Sequence, residues 1–341
     1  MAVRSHVTIR DVAAKAGVSH QTVSRVINNS DRVLPETRAK VEAAIAELDY
    51  SPNAIARSMA KGRTGILACI APNLTDYTFA SLISGAETEV RKHGYFLLSA
   101  SAPDGDTFAA LIDELVSSRR AEAIIVINPF ADDRYTHLPS DFPVVFAGAR
   151  PREDAMNSVA LDDETVGYKA TEYLLNLGHT NIGMITGPLE EDCSQDRCRG
   201  FEAAMQDHNA PVQQQWIVEG DWLPKPGYDA LMHFAESGNM PSAIFAQNDN
   251  MAVGVLRAAR DMGLTIPDQL SIIGIDDIPL AAYFTPPLTT IKQDFKQIGE
   301  EAARLLLKAV EEPEDPCQHL LIPANLIARR STAVYKESQS A

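Results

Sequence analysis

The 341-residue sequence predicts a small all-α headpiece built on a helix-turn-helix, followed by an α/β core of two doubly wound parallel-sheet subdomains. Three observations carry that expectation. Two short helical patterns near the start are joined by a tight glycine-bearing turn. Further on, apolar runs of strand length alternate with helical stretches, and the alternation occurs twice. The charge is also divided: residues 1–63 hold ten Lys and Arg against six Asp and Glu, and the remainder twenty against forty, for a formal net charge of −16.

The first helix is announced by Thr8-Ile9-Arg10-Asp11, a capping box with Asp11 at its third helical position. Val12, Ala13 and Ala16 are its buried candidates, and Gly17 stands where a left-handed C-terminal glycine ends a helix. Ser19 can cap the second helix, whose apolar face is Val23, Val26 and Ile27. His20, Gln21, Thr22, Ser24 and Arg25 face elsewhere. In a helix-turn-helix the second helix reads the major groove with its N-terminal residues, and Gln can pair bidentately with adenine, Arg with guanine. A third helix is expected from about Pro35 to Leu48, with Val41, Ala44, Ile45 and Leu48 as its stripe. The next stretch, Tyr50 to Arg63, has Pro52 near a helix start and a basic, glycine-containing end. It is short for a stable isolated helix and suited to folding on binding.

In the core, Ile66–Ala71 reads as the first strand, followed by a helix near Phe79–His93. Strand Tyr95–Ser99, a helix near Thr107–Ser118, and strands Ala123–Ile127 and Pro143–Ala147 follow. After Asp162 the alternation restarts with helices near Thr165–Leu177, Arg197–His208 and Met251–Met262, and strands Ile182–Ile185, Ala243–Ala246 and Ser271–Ile275. Such alternation means parallel sheets covered on both faces. Open parallel sheets bind ligands beyond the carboxyl ends of their strands, so the cleft between two such subdomains is the expected site.

Whole classes of function fall away. No apolar run is long enough to span a bilayer, and the charged N-terminus is not a signal peptide, which points to the cytoplasm. Cys69, Cys193, Cys198 and Cys317 lack zinc-finger spacing and read as reduced thiols, so no metal and no cofactor are expected. No P-loop, dinucleotide-binding glycine motif or nucleophile motif appears, and the adjacent pairs Asp162-Asp163 and Asp276-Asp277 place neighbouring carboxylates on opposite faces; an enzyme is not expected. A basic head on an acidic body suits contact with nucleic acid through the head alone.

The stretches TIRDVAAKAGVSHQTVSRVIN and TRAKVEAAIAELDYSPNAIARSMA resemble the headpiece of the lactose/galactose repressor family of bacterial transcription regulators. The resemblance continues through GPL at 187–189, GDW at 220–222, QNDNMAVG at 247–254, GIDD at 274–277 and PPLTTIKQDF at 286–295, the last most like the lactose-repressor branch. It implies a periplasmic-binding-protein-like core. It divides the chain into a headpiece at 1–50, a hinge helix and linker at 51–63, an N-terminal core subdomain at 64–161 with 293–322, a C-terminal one at 162–292 with 323–334, and a tail at 335–341. The family pattern puts Thr8, Ser19, His20, Gln21, Thr22, Ser24, Arg25, Asn28, Asn53 and Arg57 on operator DNA, with Met59 as the minor-groove wedge where leucine is usual. Leu34 replaces a usual Ser or Thr cap, which predicts a late or frayed start to the third helix.

The same resemblance places Arg197 and Asn248 on ring hydroxyls, Asp276 as an acceptor from two of them, and Trp222 as a stacking surface. Asn128 and Phe295 match further pocket positions, and the loop from Asn73 through Tyr77 to Phe79 would cover the ligand. Gly148 stands where the lactose-repressor branch has an acidic contact. The residues alone leave plainer roles open: a strand-end turn at Asp276-Asp277, a helix cap at Asn248-Asp249, core packing for Trp222, and an ion pair for Arg197. The expectation is a dimeric repressor released from a pseudo-palindromic operator by a galactoside or glucoside. A purine or other non-sugar co-repressor is the rival effector. A periplasmic sugar carrier is disfavoured by the basic helix-turn-helix. The C-terminus lacks leucine heptads, so a homodimer rather than a tetramer is expected.

Overall fold

In the headpiece, α1 (Ile9–Ala16) is opened by the capping box the sequence announces: the Thr8 amide and hydroxyl both donate to Asp11, at 2.8 and 2.7 Å. Gly17 closes it at φ +66°, a conformation that would strain any side chain. Ser19 accepts from the Thr22 amide at 3.1 Å and opens α2 (His20–Ile27). Val12, Val23 and Val41 are fully buried where α1, α2 and α3 (Pro35–Glu47) meet. The absent cap at Leu34 neither delays nor frays α3, contrary to expectation. Pro35 takes the first helical position, where its missing N–H and preset φ suit a helix start. Arg38 then ties α3 to the end of α2 by donating to the carbonyl of Ser30 at 2.9 Å.

This computed structural model describes residues 7–28, 30–50, 63–130, 132–148, 150 and 156–336. The chain divides between Thr64 and Gly65 into headpiece and core.

The core carries two six-stranded sheets. The first has the order β11-β5-β4-β3-β1-β2, built from β1 (Ile66–Ala71), β2 (Phe96–Ser101), β3 (Ile124–Ile127), β4 (Val144–Ala147), β5 (Asn157–Leu161) and β11 (His319–Ile322). The second has the order β12-β10-β9-β8-β6-β7, from β6 (Ile182–Thr186), β7 (Ile217–Glu219), β8 (Ala243–Ala246), β9 (Ser271–Asp276), β10 (Thr289–Lys292) and β12 (Asn325–Ile327). Every pairing is parallel except β10 with β12. The chain passes between the sheets after β5, after β10 and after β11. Buried aliphatics fill both faces of the strands: Leu67 and Ile125 on one face of the first sheet and Ile70 and Ile124 on the other, Ile182 and Ile273 on one face of the second and Ile244 and Ile272 on the other.

Helices α4 (Tyr77–Lys92), α5 (Gly105–Ser117) and α10 (Phe295–Glu311) cover the first sheet. The second is covered by α6 (Asp163–Asn176), α7 (Asp192–Asp207), α8 (Pro224–Glu236) and α9 (Asp249–Asp261). Three begin about two residues before the start expected from the sequence because an aspartate caps each: Asp76, Asp104 and Asp162 each accept an amide of the first turn. The structure adds five strands the sequence reading does not name, β5, β7, β10, β11 and β12, and two helices depart from it as well. Helix α8 is absent from it: its start holds Pro224, Pro226 and Gly227, and both prolines occupy the first turn, where amides need no helical partner. Helix α7 starts at Asp192, five residues before the expected Arg197, because Asp192 to Asp196 show no apolar face.

Helix α6 crosses α7 at contact distance. A Cβ on Gly167 would collide with the backbone of Arg197, and one on Gly200 with the backbone of Glu164. Glycine at both points lets the helices touch and fixes the height of Arg197 above the second sheet.

Candidate functional site

On α2 the apolar face turns inward and the polar face outward. His20, Gln21, Arg25 and Asn28 are exposed, while Thr22 and Ser24 are half-buried. Several of these side chains have local duties. Thr8 is committed to its capping box, Ser19 Oγ lies 2.9 Å from Thr22 Oγ1, and Asn28 donates to the Ser24 carbonyl at 2.9 Å. The side chains of His20, Gln21 and Arg25 make no hydrogen bond to any described residue. Asn53, Arg57 and Met59 lie outside the described residues.

In the core, a cavity of about 330 Å³ lies beyond the carboxyl ends of both sets of strands. Of the expected ligand residues, Asn73, Phe79, Arg197, Trp222, Asn248, Asp276 and Phe295 line it, as does Gly148. Tyr77 and Asn128 are not in its wall. Asn128 is buried in a turn, where its Oδ1 accepts from the Phe130 amide at 3.2 Å; Tyr77 is 42% exposed on the outside of α4. Asn73 holds its own loop, accepting from the amides of Thr75 and Asp76 at 3.0 and 2.8 Å.

Arg197 sits in the second turn of α7, not at its first residue as expected. Its Nε and Nη2 reach one oxygen of Asp163 at 2.8 and 2.7 Å, and Nη1 donates to the Gln247 carbonyl at 2.7 Å. Its guanidinium carbon lies 5.7 Å from the centre of the Trp222 ring. Trp222 has φ +68° and Asp276 φ +114°, both rare for residues with side chains. Backbone strain of this kind persists where the surroundings over-determine it, typically at ligand sites. Asn248, not Asp249, caps α9: its Oδ1 accepts from the Met251 amide at 2.8 Å and its Nδ2 donates to the Trp222 carbonyl at 2.9 Å. Both ends of that amide are therefore occupied, and Asn248 holds Trp222 in place. The indole Nε1 donates to Glu191 at 3.0 Å.

The carboxylates are perturbed upward. Burial raises Asp163 against the pull of Arg197, and burial raises Glu191 against the Trp222 hydrogen bond. Asp249, in the first turn of α9, is pushed up to about 7 by burial, opposed by hydrogen bonds from Thr290 and the Ile278 amide. Asp276 is pushed well above the carboxylate range by burial and then by the charge of Asp249.

Glu191, Asp163 and Gln293 also line the cavity and escaped the sequence reading. Gln293 is 3% exposed, and neither polar atom of its amide has a hydrogen-bond partner among the described residues. A buried amide with four unmet hydrogen-bonding positions awaits a ligand or water. The available signal was its place in PPLTTIKQDF, between β10 and α10 where the chain crosses. Among the described residues no cluster could hold a metal ion, and no helix is long and apolar enough to cross a membrane.

Residues 8–53 match the model of bacterial regulatory proteins of the lacI family, and residues 171–332 that of a periplasmic binding protein-like domain. The transcriptional repressor PurR of Salmonella paratyphi B is 36% identical over 333 residues, covering 96% of this chain and 97% of that protein. The chain belongs to the lacI family. PurR of Proteus mirabilis is 35% identical over the same length. Among solved structures, the lac repressor dimer bound to operator and the anti-inducer ONPF superposes with a TM-score of 0.88 at 28% identity, covering 96% of this chain and 99% of that one. The complex of the regulator CelR with cellobiose gives 0.73 at 28% identity, covering 95% and 99%. As a lacI-family protein the chain is a DNA-binding transcriptional regulator, with α1 and α2 as its helix-turn-helix and the two-sheet core as its periplasmic-binding-protein-like domain.

Proposed function

We propose that this lacI-family regulator is a cytoplasmic repressor of sugar-utilisation genes, released from its operator by a small sugar bound in the core cavity. One observation supports the sugar most. A single indole, Trp222, shares the cavity wall with Arg197, Asp276 and the unpartnered amide of Gln293. A pyranose offers the complement, an apolar C–H face for the ring and vicinal hydroxyls for the planar polar groups. In this reading Asp276 and Gln293 hold hydroxyls, Trp222 stacks, and Arg197 and Asn248 chiefly fix the frame. Phe79 and Phe295 close the apolar sides. The PurR relatives favour the rival reading, a purine acting as co-repressor.

On DNA, a homodimer would set two α2 helices in successive major grooves of a pseudo-palindrome, with Gln21 and Arg25 reading bases and Arg57 and Met59 acting in the hinge. An effector shifts such a system only through its different affinity for the two states, so operator DNA must weaken inducer binding by the same factor.

The test is tryptophan fluorescence with galactosides, glucosides, pentoses and purines. Trp216 is buried in the core, so Trp222 is the responsive ring. A saturable change with a sugar, lost in Trp222→Phe while calorimetry still detects binding, supports the reading. A response to a purine alone overturns the sugar.

A further inference from the structure

The half of the core built on the first sheet is joined to the half built on the second by the chain crossings after β5, β10 and β11. Short connections of this kind absorb hinge rotation. A second set of links is non-covalent and converges on one segment, the start of α7. The Asp192 amide donates to the Pro129 carbonyl at 2.9 Å, and Glu191 forms an isolated antiparallel bridge with Phe130. Pro129 and Phe130 follow β3 of the first sheet, while α7 covers the second. Arg134 braces the first-sheet side, its guanidinium 4.5 Å from the centre of the Phe130 ring. Arg150, which follows β4, reaches the same helix. Its Nη2 donates to Asp192 Oδ1 and its Nε pairs with Asp196 Oδ2, each at 3.1 Å. Among the described residues, no other ion pair joins the two halves.

This is unlike an ordinary surface pair, which contributes little. Arg150 is half-exposed, but the side chains of Asp192 and Asp196 are 4% and 9% exposed. Two acids withdrawn from water share one guanidinium, so removing it strands charge. Asp196 also pairs with Arg199 on its own helix, so the contact across the cleft can break without leaving that carboxylate bare. The same segment faces the cavity through Glu191 and Cys193, and Glu191 accepts from the Trp222 indole. Wall and clasp are therefore one piece of chain. We infer that Arg150 is a latch on the cleft: its charge holds the first half against the start of α7 and sets the balance between a closed and an open core. The latch acts whichever effector fills the cavity. One charge-assisted contact is worth about tenfold in such a balance.

Acrylamide quenching of Trp222 in the full chain tests it, read beside the radius of gyration from small-angle scattering; Trp216 is buried and shielded. Arg150→Gln should raise the quenching constant at least about twofold and expand the molecule, with little change in the urea midpoint. Arg150→Lys, which keeps the charge, should stay near the wild type. Asp196→Asn added to Arg150→Gln should raise quenching no further, because both remove the same contact. Unchanged quenching and radius in Arg150→Gln overturn the latch, and a lowered urea midpoint with unchanged quenching reduces Arg150 to a structural pair. An equal rise in Arg150→Lys also overturns it, since the charge would then not be what holds the cleft.

Discussion

Asp163 and Arg197 form a buried ion pair in which two nitrogens of the guanidinium converge on one carboxylate oxygen, at 2.7 and 2.8 Å. Asp163 begins α6 and Arg197 lies in the second turn of α7, so the pair fastens the two helices directly beneath the cavity. Removing one partner of a buried pair strands the other charge. Asp163→Ala should therefore lower stability by about 3–5 kcal/mol. Urea denaturation measures it, and a loss below about 1 kcal/mol would show the pair to be dispensable.

The crossing of the same helices depends on Gly167. Its substitution by alanine drives a Cβ into the Arg197 backbone. Gly167→Ala should cost about 1–3 kcal/mol by overpacking and weaken effector binding by displacing Arg197. Gly105, with open space around its Cβ position, is the control: Gly105→Ala should change neither.

Stability should depend on pH through Asp249. Its carboxyl rises to about 7 in the folded protein, from an ordinary value near 4 when unfolded. The folded state thus holds a proton that the unfolded state has released. The contribution is fully present below about pH 4 and is lost as pH rises through about 7. Urea midpoints at pH 5 and pH 8 should show this fall, and Asp249→Asn should flatten it. An equal slope in the variant would assign the effect to another group.

Gln21 stands exposed near the start of α2. Gln21→Ala should relax base preference at one operator position, by about 1–3 kcal/mol of discrimination, while Arg57→Ala should weaken binding across all sequences. Operator selection on random DNA decides it; an unchanged consensus for Gln21→Ala would remove this readout.

Phe96, 73% exposed, lies on β2, the edge strand of the first sheet, and Tyr283, 83% exposed, lies between β9 and β10. A contiguous exposed apolar patch marks an association surface, whereas a single exposed aromatic is ordinary, so a role of these two rings in a dimer is a prediction to be tested. Sedimentation should give a dimer for the wild type and a monomer for Phe96→Asp combined with Tyr283→Asp. A stable tetramer at low concentration would contradict the dimer expectation.

Local chemistry was legible in the chain itself. Thr8 with Asp11, Gly17 and Ser19 bound the first two helices because capping is settled by neighbours within four residues. Strands such as Ile66–Ala71 and Ser271–Asp276 were legible because a strand covered on both faces is a continuous apolar run. The cavity's position followed from the same pattern, and most residues proposed for it do line it.

What tertiary structure decided concerns groups whose partners are remote in sequence. Whether Arg197 faces ligand or protein depends on Asp163 and Gln247, 34 and 50 residues away. Asn128 left the site because a local turn took its amide, and Asn248 displaced Asp249 as the cap of α9 while bracing Trp222. The start of α7 was invisible because Asp192 to Asp196 carry no apolar period; packing against α6 imposes that helix. Gln293 is the plainest case. Its importance lies in hydrogen bonds it does not make, and only the positions of every surrounding chain segment can establish that.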